Sequence, residues 1–363
     1  MVTKVIVCLD GVSPDYIRHA KTPFLDRLSH EGTFTVCEAM VPTVTNINNT
    51  SIITASFPET HGITTNYYFD SDTGEEVYMD SSKYLTCKTL LEEATEQGKK
   101  TLLLTVKDKL RRLLARNITL TYSVEKPSQK TVNELGNAPD IYTADSSIWL
   151  LEAANHEIDN NHWDYVFIST TDYIPHKFSP KEYEAREYIS RIDSILESIN
   201  DKQPLMGVVA DHGMNPKKMN LDPSKLLNEQ DIENRLIANI KDEHVTHHQN
   251  LGGSAYLYLQ DETEIEKAQN ILCNTKGIEK VLTRKIATKE YKLNPRRIGD
   301  VLILADKDHT FGPNPTSTYR EINIRSHGSL HEQKVPFILN RKIEPSTPLY
   351  NMNVIPLLEK YSL

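Results

Sequence analysis

The chain has 363 residues, of which 38% are hydrophobic and 25% charged, and its formal net charge is −9. This length is sufficient for a large core and for more than one globular unit. The composition excludes a disordered, collagenous or coiled-coil protein. The acidic balance argues against a nucleic-acid-binding protein, which would carry a basic face. It leaves room for a small anionic substrate, because bound metal ions reverse the local field.

Cysteine usage and the start of the chain bear on the compartment. Cys8, Cys37, Cys87 and Cys273 form no Cys-x-x-Cys pair, and we expect four reduced thiols. An apolar strand pattern follows the first residues at once, without the pattern of a signal peptide. No apolar stretch approaches the ~20 residues of a membrane span. We therefore expect a cytoplasmic enzyme without a membrane partner.

Apolar runs and amphipathic stretches alternate along the chain. The sequence predicts strands at Lys4–Leu9, Lys100–Val106, Asp164–Ser169, Leu205–Ala210 and Val335–Leu339. It predicts helices from Pro23, with Thr22 as N-cap, and at Tyr84–Glu96, Ser147–Ile158, Pro180–Ile199 and Asn353–Tyr361. This alternation is typical of a doubly wound, mostly parallel α/β core.

Two stretches depart from this rhythm. Residues 107–142 are polar and loop-like, and residues 223–320 combine a helix pattern at Thr263–Leu272 with strand patterns at Ala255–Leu259 and Val301–Ala305. We interpret both stretches as insertions that form a smaller α+β cap. The predicted catalytic core then comprises residues 1–106, 143–222 and 321–363.

Acidic residues follow three of the predicted strands, where ligands bind in sheets of this kind. Histidines accompany them in Asp-x-x-x-His, in Asp-His-Gly and in a later Arg-Ser-His-Gly. The resulting set holds three carboxylates and three imidazoles: Asp10, Asp172, His176, Asp211, His212 and His327. Oxygen and nitrogen donors without sulfur suit zinc, manganese or iron. Six ligands exceed the needs of one tetrahedral ion, so the set predicts a pair of metals.

A candidate nucleophile lies in Val41–Thr54, where hydroxyl and amide side chains meet a junction between a loop and a helix. A helix N-terminus there would offer backbone N–H groups and the positive end of its dipole to an anion. Thr45 is the candidate, because metal coordination activates a hydroxyl. On local sequence alone, an N-cap threonine before an amide-rich turn is the favoured interpretation.

Two longer motifs carry a family resemblance. Pro42-Thr-Val-Thr-Asn-Ile-Asn-Asn-Thr50, followed by Phe57-Pro-Glu-Thr-His-Gly-Ile63, resembles the nucleophile segment of the nucleotide pyrophosphatase/phosphodiesterase branch of the alkaline-phosphatase superfamily. The Thr-Asn-x-Asn-Asn pattern and the segment Val106-Lys-Asp-Lys-Leu110 are more similar to those of the phosphonoacetate hydrolases of that branch. The order Asp, Thr, Asp-x-x-x-His, Asp-His, His also matches. The resemblance covers the core and is weakest near residues 223–295.

The resemblance implies two zinc ions per chain, although these donors also accept Mn²⁺ or Fe²⁺. One ion would be held by Asp172, His176 and His327, and the other by Asp10, Asp211, His212 and the oxygen of Thr45. Thr45 and Asn66 would be catalytic. Six side chains would contact substrate: Thr45, Asn66, Lys107, Lys109, His176 and His327. Lys107 and Lys109 would face a substrate carboxylate.

The implied activity is hydrolysis of the carbon–phosphorus bond of phosphonoacetate, a small anionic phosphonate, through a phosphothreonine on Thr45. One alternative is a phosphodiesterase or nucleotide pyrophosphatase with the same metals, in which Tyr67 and Tyr68, or tyrosines of the cap, could form a slot for a base. Another is a catalytically inactive, metal-dependent binding module. The sequence does not fix the oligomeric state, and a homodimer stays an open expectation.

Four other histidines are not expected to bind metal. His61 lies in the Pro-Glu-Thr-His-Gly-Ile motif and is interpreted as part of a structural turn. His247, His248 and His331 would be surplus to a complete set of six ligands.

Overall fold

The computed structural model describes residues 2–242, 249–344 and 347–361. The strands are β1 (Lys4–Cys8), β2 (Thr33–Glu38), β3 (Tyr67–Asp70), β4 (Glu75–Tyr78), β5 (Thr101–Thr105), β6 (Leu120–Ser123), β7 (Tyr165–Ser169), β8 (Leu205–Val209), β9 (Asn215–Leu221), β10 (Asn234–Ala238), β11 (Ser254–Leu259), β12 (Ile278–Thr283), β13 (Val301–Ala305), β14 (His309–Phe311), β15 (Tyr319–Ser326) and β16 (Lys334–Leu339). The α-helices are α1 (Pro14–His19), α2 (Pro23–Glu31), α3 (Thr45–Thr54), α4 (Pro58–His61), α5 (Leu90–Glu96), α6 (Asp108–Leu114), α7 (Gln129–Leu135), α8 (Ala144–Asn160), α9 (Tyr173–Lys177), α10 (Tyr183–Asn200), α11 (Pro223–Asn228), α12 (Ile265–Cys273), α13 (Arg284–Tyr291) and α14 (Val354–Lys360).

A seven-stranded sheet forms the centre of the molecule, in the order β2-β16-β8-β1-β7-β5-β6. The five strands from β8 to β6 run parallel, and β16 pairs antiparallel with both β8 and β2. The order reverses around β1, which lies between β7 and β8. This arrangement confirms the predicted fold class, a doubly wound and mostly parallel α/β core.

Helices cover both faces of this sheet. Every residue of β1, β5, β7 and β8 is buried, as expected for strands with helices on both sides. One group of contacting helices comprises α1, α2, α8 and α10, and a second comprises α3, α5, α6 and α14. Of the helices in the described part of the chain, none combines the length and the apolar character that crossing a bilayer requires.

A smaller antiparallel sheet, in the order β10-β11-β13-β12, lies in the segment predicted as a cap. Its strand residues alternate between two apolar clusters. Leu257 and Ile303 pack in the cluster that includes residues of α11 and α12. Tyr256 and Leu302 pack in the cluster that includes Tyr67 of β3. The cap sheet therefore packs against α11 and α12 on one face, and against α13 and the β3–β4 pair on the other.

The predicted boundaries between core and cap need one correction. Residues 107–142 were expected to lie outside the core, but β6 within them pairs in parallel with β5 and extends the large sheet. Predicted core and cap also share a three-stranded sheet, since β14 pairs with β9. The division into core and cap otherwise stays a prediction.

One predicted helix begins later than expected. A single helix was predicted at Tyr84–Glu96. The structure instead has a 3-10 turn at Ser82–Tyr84 and an α-helix that begins at Leu90. The Thr89 side chain accepts a hydrogen bond from the Glu92 N–H at 3.0 Å. This N-cap fixes the helix start, because it satisfies an amide that no preceding turn can bind.

Gly207, in the middle of β8, supports a stability prediction. A Cβ atom there would lie 2.4 Å from Cγ2 of Val354, the first residue of α14. We expect Gly207→Ala to destabilise the protein by about 1–3 kcal/mol, because overpacking forces stiff side chains out of their rotamers. The measurement is the midpoint of urea unfolding. Gly207→Ala/Val354→Ala should lose less stability than the sum of the single changes, and strict additivity would contradict the packing argument.

Candidate functional site

Three buried aspartates lie at one edge of the large sheet, just beyond the ends of the neighbouring strands β8, β1 and β7. Asp10 and Asp211 each follow their strand by two residues, and Asp172 is the N-cap of α9. The Gly11 N–H donates to Asp211 Oδ1 at 3.1 Å. The predicted strand-end aspartates are thus brought together by the parallel order of the sheet.

The three predicted histidines face the same point. In each, Nδ1 lies beside a backbone carbonyl: Arg325 O for His176 at 2.7 Å, Gly213 O for His212 at 2.9 Å and Thr43 O for His327 at 2.7 Å. A carbonyl can only accept, so Nδ1 carries the proton and donates. Nε2 is then left with its lone pair toward the aspartates, which is the tautomer that a metal ligand needs.

Distances divide these side chains into two adjoining groups. Ligand atoms of Asp10, Asp211 and His212 lie within 4.8 Å of one another, as do those of Asp172, His212 and His327. His176 Nε2 lies 3.0 Å from Asp172 Oδ2. His212 therefore borders both groups. The predicted partition gives His176 to the group of Asp172 and His327 instead, and the tautomer of His176 agrees with that assignment.

The charges of this cluster fit a bound cation. Burial, together with the carboxylates of Asp172 and Asp211, raises the pKa of Asp10 well above its usual range. Burial also raises the pKa of Asp211. Asp10 Oδ1 is buried and accepts no hydrogen bond, and burial together with His212 and His176 keeps His327 neutral by lowering its pKa. Crowded carboxylates, an unsatisfied oxygen and neutral imidazoles are the donor set of a metal site.

Thr45 lies beside this cluster as the first residue of α3, with Val44 as the N-cap. Its Oγ1 is 3.2 Å from His212 Nε2, and the side chain is half-buried. The N-cap interpretation of Thr45 is therefore wrong by one position. Its hydroxyl points to the predicted ligands rather than back to the amides of its own helix.

Amides of α3 hold this arrangement in place, and the sequence did not identify their role. Asn49 donates from Nδ2 to Asp211 Oδ2 at 3.1 Å and accepts from Ser169 Oγ at 2.8 Å. Asn48 accepts from the Met40 N–H at 2.7 Å, which fixes the loop before Thr45. The signal was the cluster of amides in an otherwise buried helix, because a buried amide must be hydrogen-bonded.

A buried chain of hydrogen bonds supports His327 from behind. His327 Nδ1 donates to the Thr43 carbonyl, and Thr43 Oγ1 donates to Ser329 O at 2.8 Å. Ser329 Oγ in turn donates to Glu332 at 2.7 Å, and Lys217 Nζ lies 3.0 Å from the same carboxylate. The Ser329–Glu332 bond belongs to a local capping box, but no local pattern predicts the rest of the chain, since it joins three distant segments.

Two lysines of the Val-Lys-Asp-Lys motif border the cluster. Lys107 donates to Asp172 Oδ1 at 3.1 Å. Burial opposes its charge, but the carboxylates of Asp172, Asp10 and Asp242 outweigh burial and raise its pKa. Lys109 forms an ion pair with Asp242, while burial and the charge of Lys107 lower its pKa.

Two adjoining cavities open beside these groups. Their common lining residues are Asn46, Asn66, Lys107, Lys109, Lys241 and Asp242. The inner cavity reaches Asp10, Thr45, Asp172 and His327. The outer cavity, with a volume of about 120 Å³, reaches Tyr78 and Tyr142. Asn66 Oδ1 accepts from the Asn46 N–H at 3.2 Å, which fixes the amide of Asn66 at the wall beside Thr45.

The type I phosphodiesterase / nucleotide pyrophosphatase family model matches residues 4–330. The chain belongs to this family. One curated relative, an uncharacterized pyrophosphatase/phosphodiesterase of Schizosaccharomyces pombe, is 33% identical over 75 residues, which are 20% of this chain and 16% of that protein. The matched segment thus spans a small part of that relative.

Solved structures of the family superpose over the full chain. Phosphonoacetate hydrolase from Sinorhizobium meliloti, solved with phosphonoacetate, gives a TM-score of 0.94 at 30% identity, covering 100% of this chain and 96% of that chain. The same protein with phosphonoformate gives 0.93 at 31% identity, with the same coverage. Human ectonucleotide pyrophosphatase/phosphodiesterase 5 gives 0.73 at 16% identity, covering 99% and 94%, and shares the fold. The resemblance stated from the motifs is confirmed.

The four histidines that were not expected to bind metal do not belong to the described cluster. His61 is fully buried, with Nε2 2.8 Å from Ser51 Oγ and Nδ1 accepting from the Ile63 N–H, as a structural turn requires. Burial and Arg297 lower its pKa to about 3. His331 Nε2 lies 2.5 Å from Glu279, on a cap strand. His247 and His248 lie outside the described residues.

Tyr67 and Tyr68, which were proposed for a base slot, do not line the cavities. Tyr67 and Tyr68 are buried, and their hydroxyls donate to Glu76 and Asp70 respectively. Neither lines the two cavities, whereas Tyr78 and Tyr142 line the outer one. Tyr78 lies on β4 directly opposite Tyr67, and Tyr142 lies just before α8.

Asn49 provides a test of the metal-site geometry. We expect Asn49→Ala to lower metal affinity by about 10–100-fold, because Asp211 loses the partner that orients its carboxylate. The measurement is competition for zinc with a chromophoric chelator. Asn46→Ala, one turn earlier on α3, is the matched control, since its amide donates to Met79 O rather than to a ligand. Equal affinities of the Asn49 variant and the unchanged protein would remove this role.

Proposed function

We propose that the protein hydrolyses the carbon–phosphorus bond of phosphonoacetate to acetate and phosphate. The observation that carries this proposal is the juxtaposition, in one cavity wall, of the carboxylate–histidine cluster, Thr45 and the lysine pair. The similarity over the whole chain to phosphonoacetate hydrolase from Sinorhizobium meliloti, at 30% identity, supports it.

Metal binding is assigned to the cluster as follows. One zinc ion would be held by Asp172, His176 and His327, and a second by Asp10, Asp211, His212 and the Thr45 oxygen. Bound there, the pair would acidify a hydroxyl or water and offset the charge of a phosphoryl group. Zinc is proposed over Mn²⁺ or Fe²⁺ because three imidazoles suit it, although the donors accept all three.

Thr45 is the proposed nucleophile. Its Oγ1 attacks phosphorus in line with the carbon leaving group, so that an O–P bond forms as the P–C bond breaks. The N-terminus of α3 directs its dipole toward the phosphoryl group, and the Asn66 amide donates to a nonbridging oxygen. Water then hydrolyses the phosphothreonine and restores Thr45.

The two lysines must stabilise the negative charge that develops on the leaving group. A bare carbanion is very basic, whereas the carboxylate of phosphonoacetate can accept the negative charge as an enediolate-like group. Lys107 and Lys109 are placed to bind that carboxylate and to stabilise the charge as it develops. The carbon takes up one proton as acetate leaves, which balances the proton that the Thr45 hydroxyl loses.

The cavity dimensions favour a small substrate over a nucleotide. The outer cavity holds about 120 Å³, whereas drug-sized ligands occupy pockets of about 300–1,000 Å³. The second candidate, a phosphodiesterase or nucleotide pyrophosphatase, is favoured by one observation: Tyr78 and Tyr142 line the same cavity and could stack on a base.

We further propose a cytoplasmic location, in keeping with free thiols at Cys8, Cys37, Cys87 and Cys273. A homodimer stays a prediction. Neither nucleic acid nor a membrane is proposed as a partner.

Substrate turnover tests the proposed reaction. Zinc-loaded protein should release phosphate from phosphonoacetate faster than it cleaves nitrophenyl thymidine monophosphate. Thr45→Ala should lower the rate by at least about 1,000-fold, since a covalent step is lost. Phosphate is measured directly. The reverse substrate preference would favour the phosphodiesterase. Turnover by the unchanged protein that is no faster than turnover by Thr45→Ala would contradict both proposed reactions.

Lys107 tests recognition of the carboxylate. Lys107→Gln should raise KM for phosphonoacetate by about 10–100-fold, because a charge-assisted hydrogen bond is worth on the order of 1.5–3 kcal/mol. KM for a nitrophenyl phosphate ester, which has no carboxylate, should change far less. Arg112→Gln, on the same helix but paired with Asp80 at 2.6 Å, is the matched control. Equal effects of Lys107→Gln on both substrates would remove its assigned role.

A further inference from the structure

One carboxylate of the protein already lies where a substrate carboxylate would bind. Asp242 follows β10 and forms an ion pair with Lys109. Its side chain is 14% exposed and that of Lys109 28% exposed. Asp242 lines both the inner and the outer cavity, as do Lys107 and Lys109. The lysine pair assigned to the substrate therefore has an acidic neighbour in the same space.

The charge of Asp242 acts on both lysines. It forms an ion pair with Lys109 in a cavity that Lys107 also lines. It also opposes burial and the charge of Lys107, which lower the pKa of Lys109. An anion beside the two ammonium groups offsets their mutual repulsion in a partly buried setting, where charges are screened poorly. A substrate carboxylate would satisfy the same electrostatic demand.

We propose that Asp242 is an internal competitor for the substrate carboxylate and a determinant of ligand selectivity at this site. This inference rests on the proposed function, because it takes the lysine pair as the carboxylate-binding end of the site. A carboxylate bound at Lys109 must displace Asp242 or share the lysine with a like charge, and either event weakens binding.

Competition of this kind discriminates between substrate and product. Phosphonoacetate is anchored at two ends, by its phosphonate beside Thr45 and by its carboxylate at the lysines. Acetate keeps only the second anchor after the phosphoryl group has been transferred. Asp242 therefore competes with acetate more effectively than with phosphonoacetate, and its return to Lys109 favours product release.

The backbone around Asp242 allows a clean substitution. The Asp242 N–H donates to Asn250 Oδ1 at 2.9 Å, and Asn250 Nδ2 donates to Asp242 O at 3.3 Å. These bonds do not involve the carboxylate, so Asp242→Asn removes the charge and keeps both. Asp80→Asn is the matched control. Asp80 lines the outer cavity and pairs with Arg112 rather than with either lysine.

The experiment measures binding without turnover. Zinc-loaded Thr45→Ala protein is titrated calorimetrically with phosphonoacetate, acetate and methylphosphonate, with and without Asp242→Asn. We expect Asp242→Asn to tighten phosphonoacetate by about fivefold or more, the size of one partly exposed ion pair. Acetate should gain at least as much. Methylphosphonate, which lacks the carboxylate, and every ligand of the Asp80→Asn protein should change by less than about twofold.

Two outcomes would overturn the proposal. Unchanged or weaker binding of phosphonoacetate would show that Asp242 positions Lys109 instead of competing for it. Equal tightening of methylphosphonate would show a general charge effect on anions. Because these titrations need no catalysis, they are independent of phosphate release by the unchanged protein. Absence of that release would contradict the proposed function alone.

Discussion

The concentration of negative charge at one edge of the large sheet is the constraint on which the rest of the site depends. Asp10, Asp172 and Asp211 are buried together, and burial with the carboxylates of Asp172 and Asp211 raises the pKa of Asp10 well above its usual range. The chain supplies Lys107 as one nearby cation but leaves Asp10 Oδ1 without a hydrogen bond. A fold that retains such a cluster does so for a cation that offsets it.

Hydrogen bonds from surrounding groups hold the candidate metal ligands in fixed orientations. Each histidine is held at Nδ1 by a backbone carbonyl, and Asn49 holds Asp211. Asn49 and His176 lie on α3 and α9, whereas His212, Thr43 and His327 lie in short connections between elements. Preorganised ligands of this kind bind a metal with little rearrangement.

The cavity beside the cluster is lined by a further set of elements. Lys107 and Lys109 lie at the start of α6, whereas Asp242 and Lys241 follow β10 of the cap sheet. The metal cluster is thus built by the core alone, and its cavity is completed where core and cap segments meet.

The sequence by itself determined the alternating α/β pattern, the six candidate ligands and Thr45, because these depend on local periodicity and on motif order. It did not determine that β6 joins the large sheet, since a four-residue strand carries too little pattern to be assigned. It could not assign Tyr78 and Tyr142, instead of Tyr67 and Tyr68, to the cavity. Nor could it identify the support of His327 by Thr43 and Glu332, or the pairing of Lys109 with Asp242. These contacts join residues far apart in the chain, and only the tertiary structure decides which distant side chains share a wall.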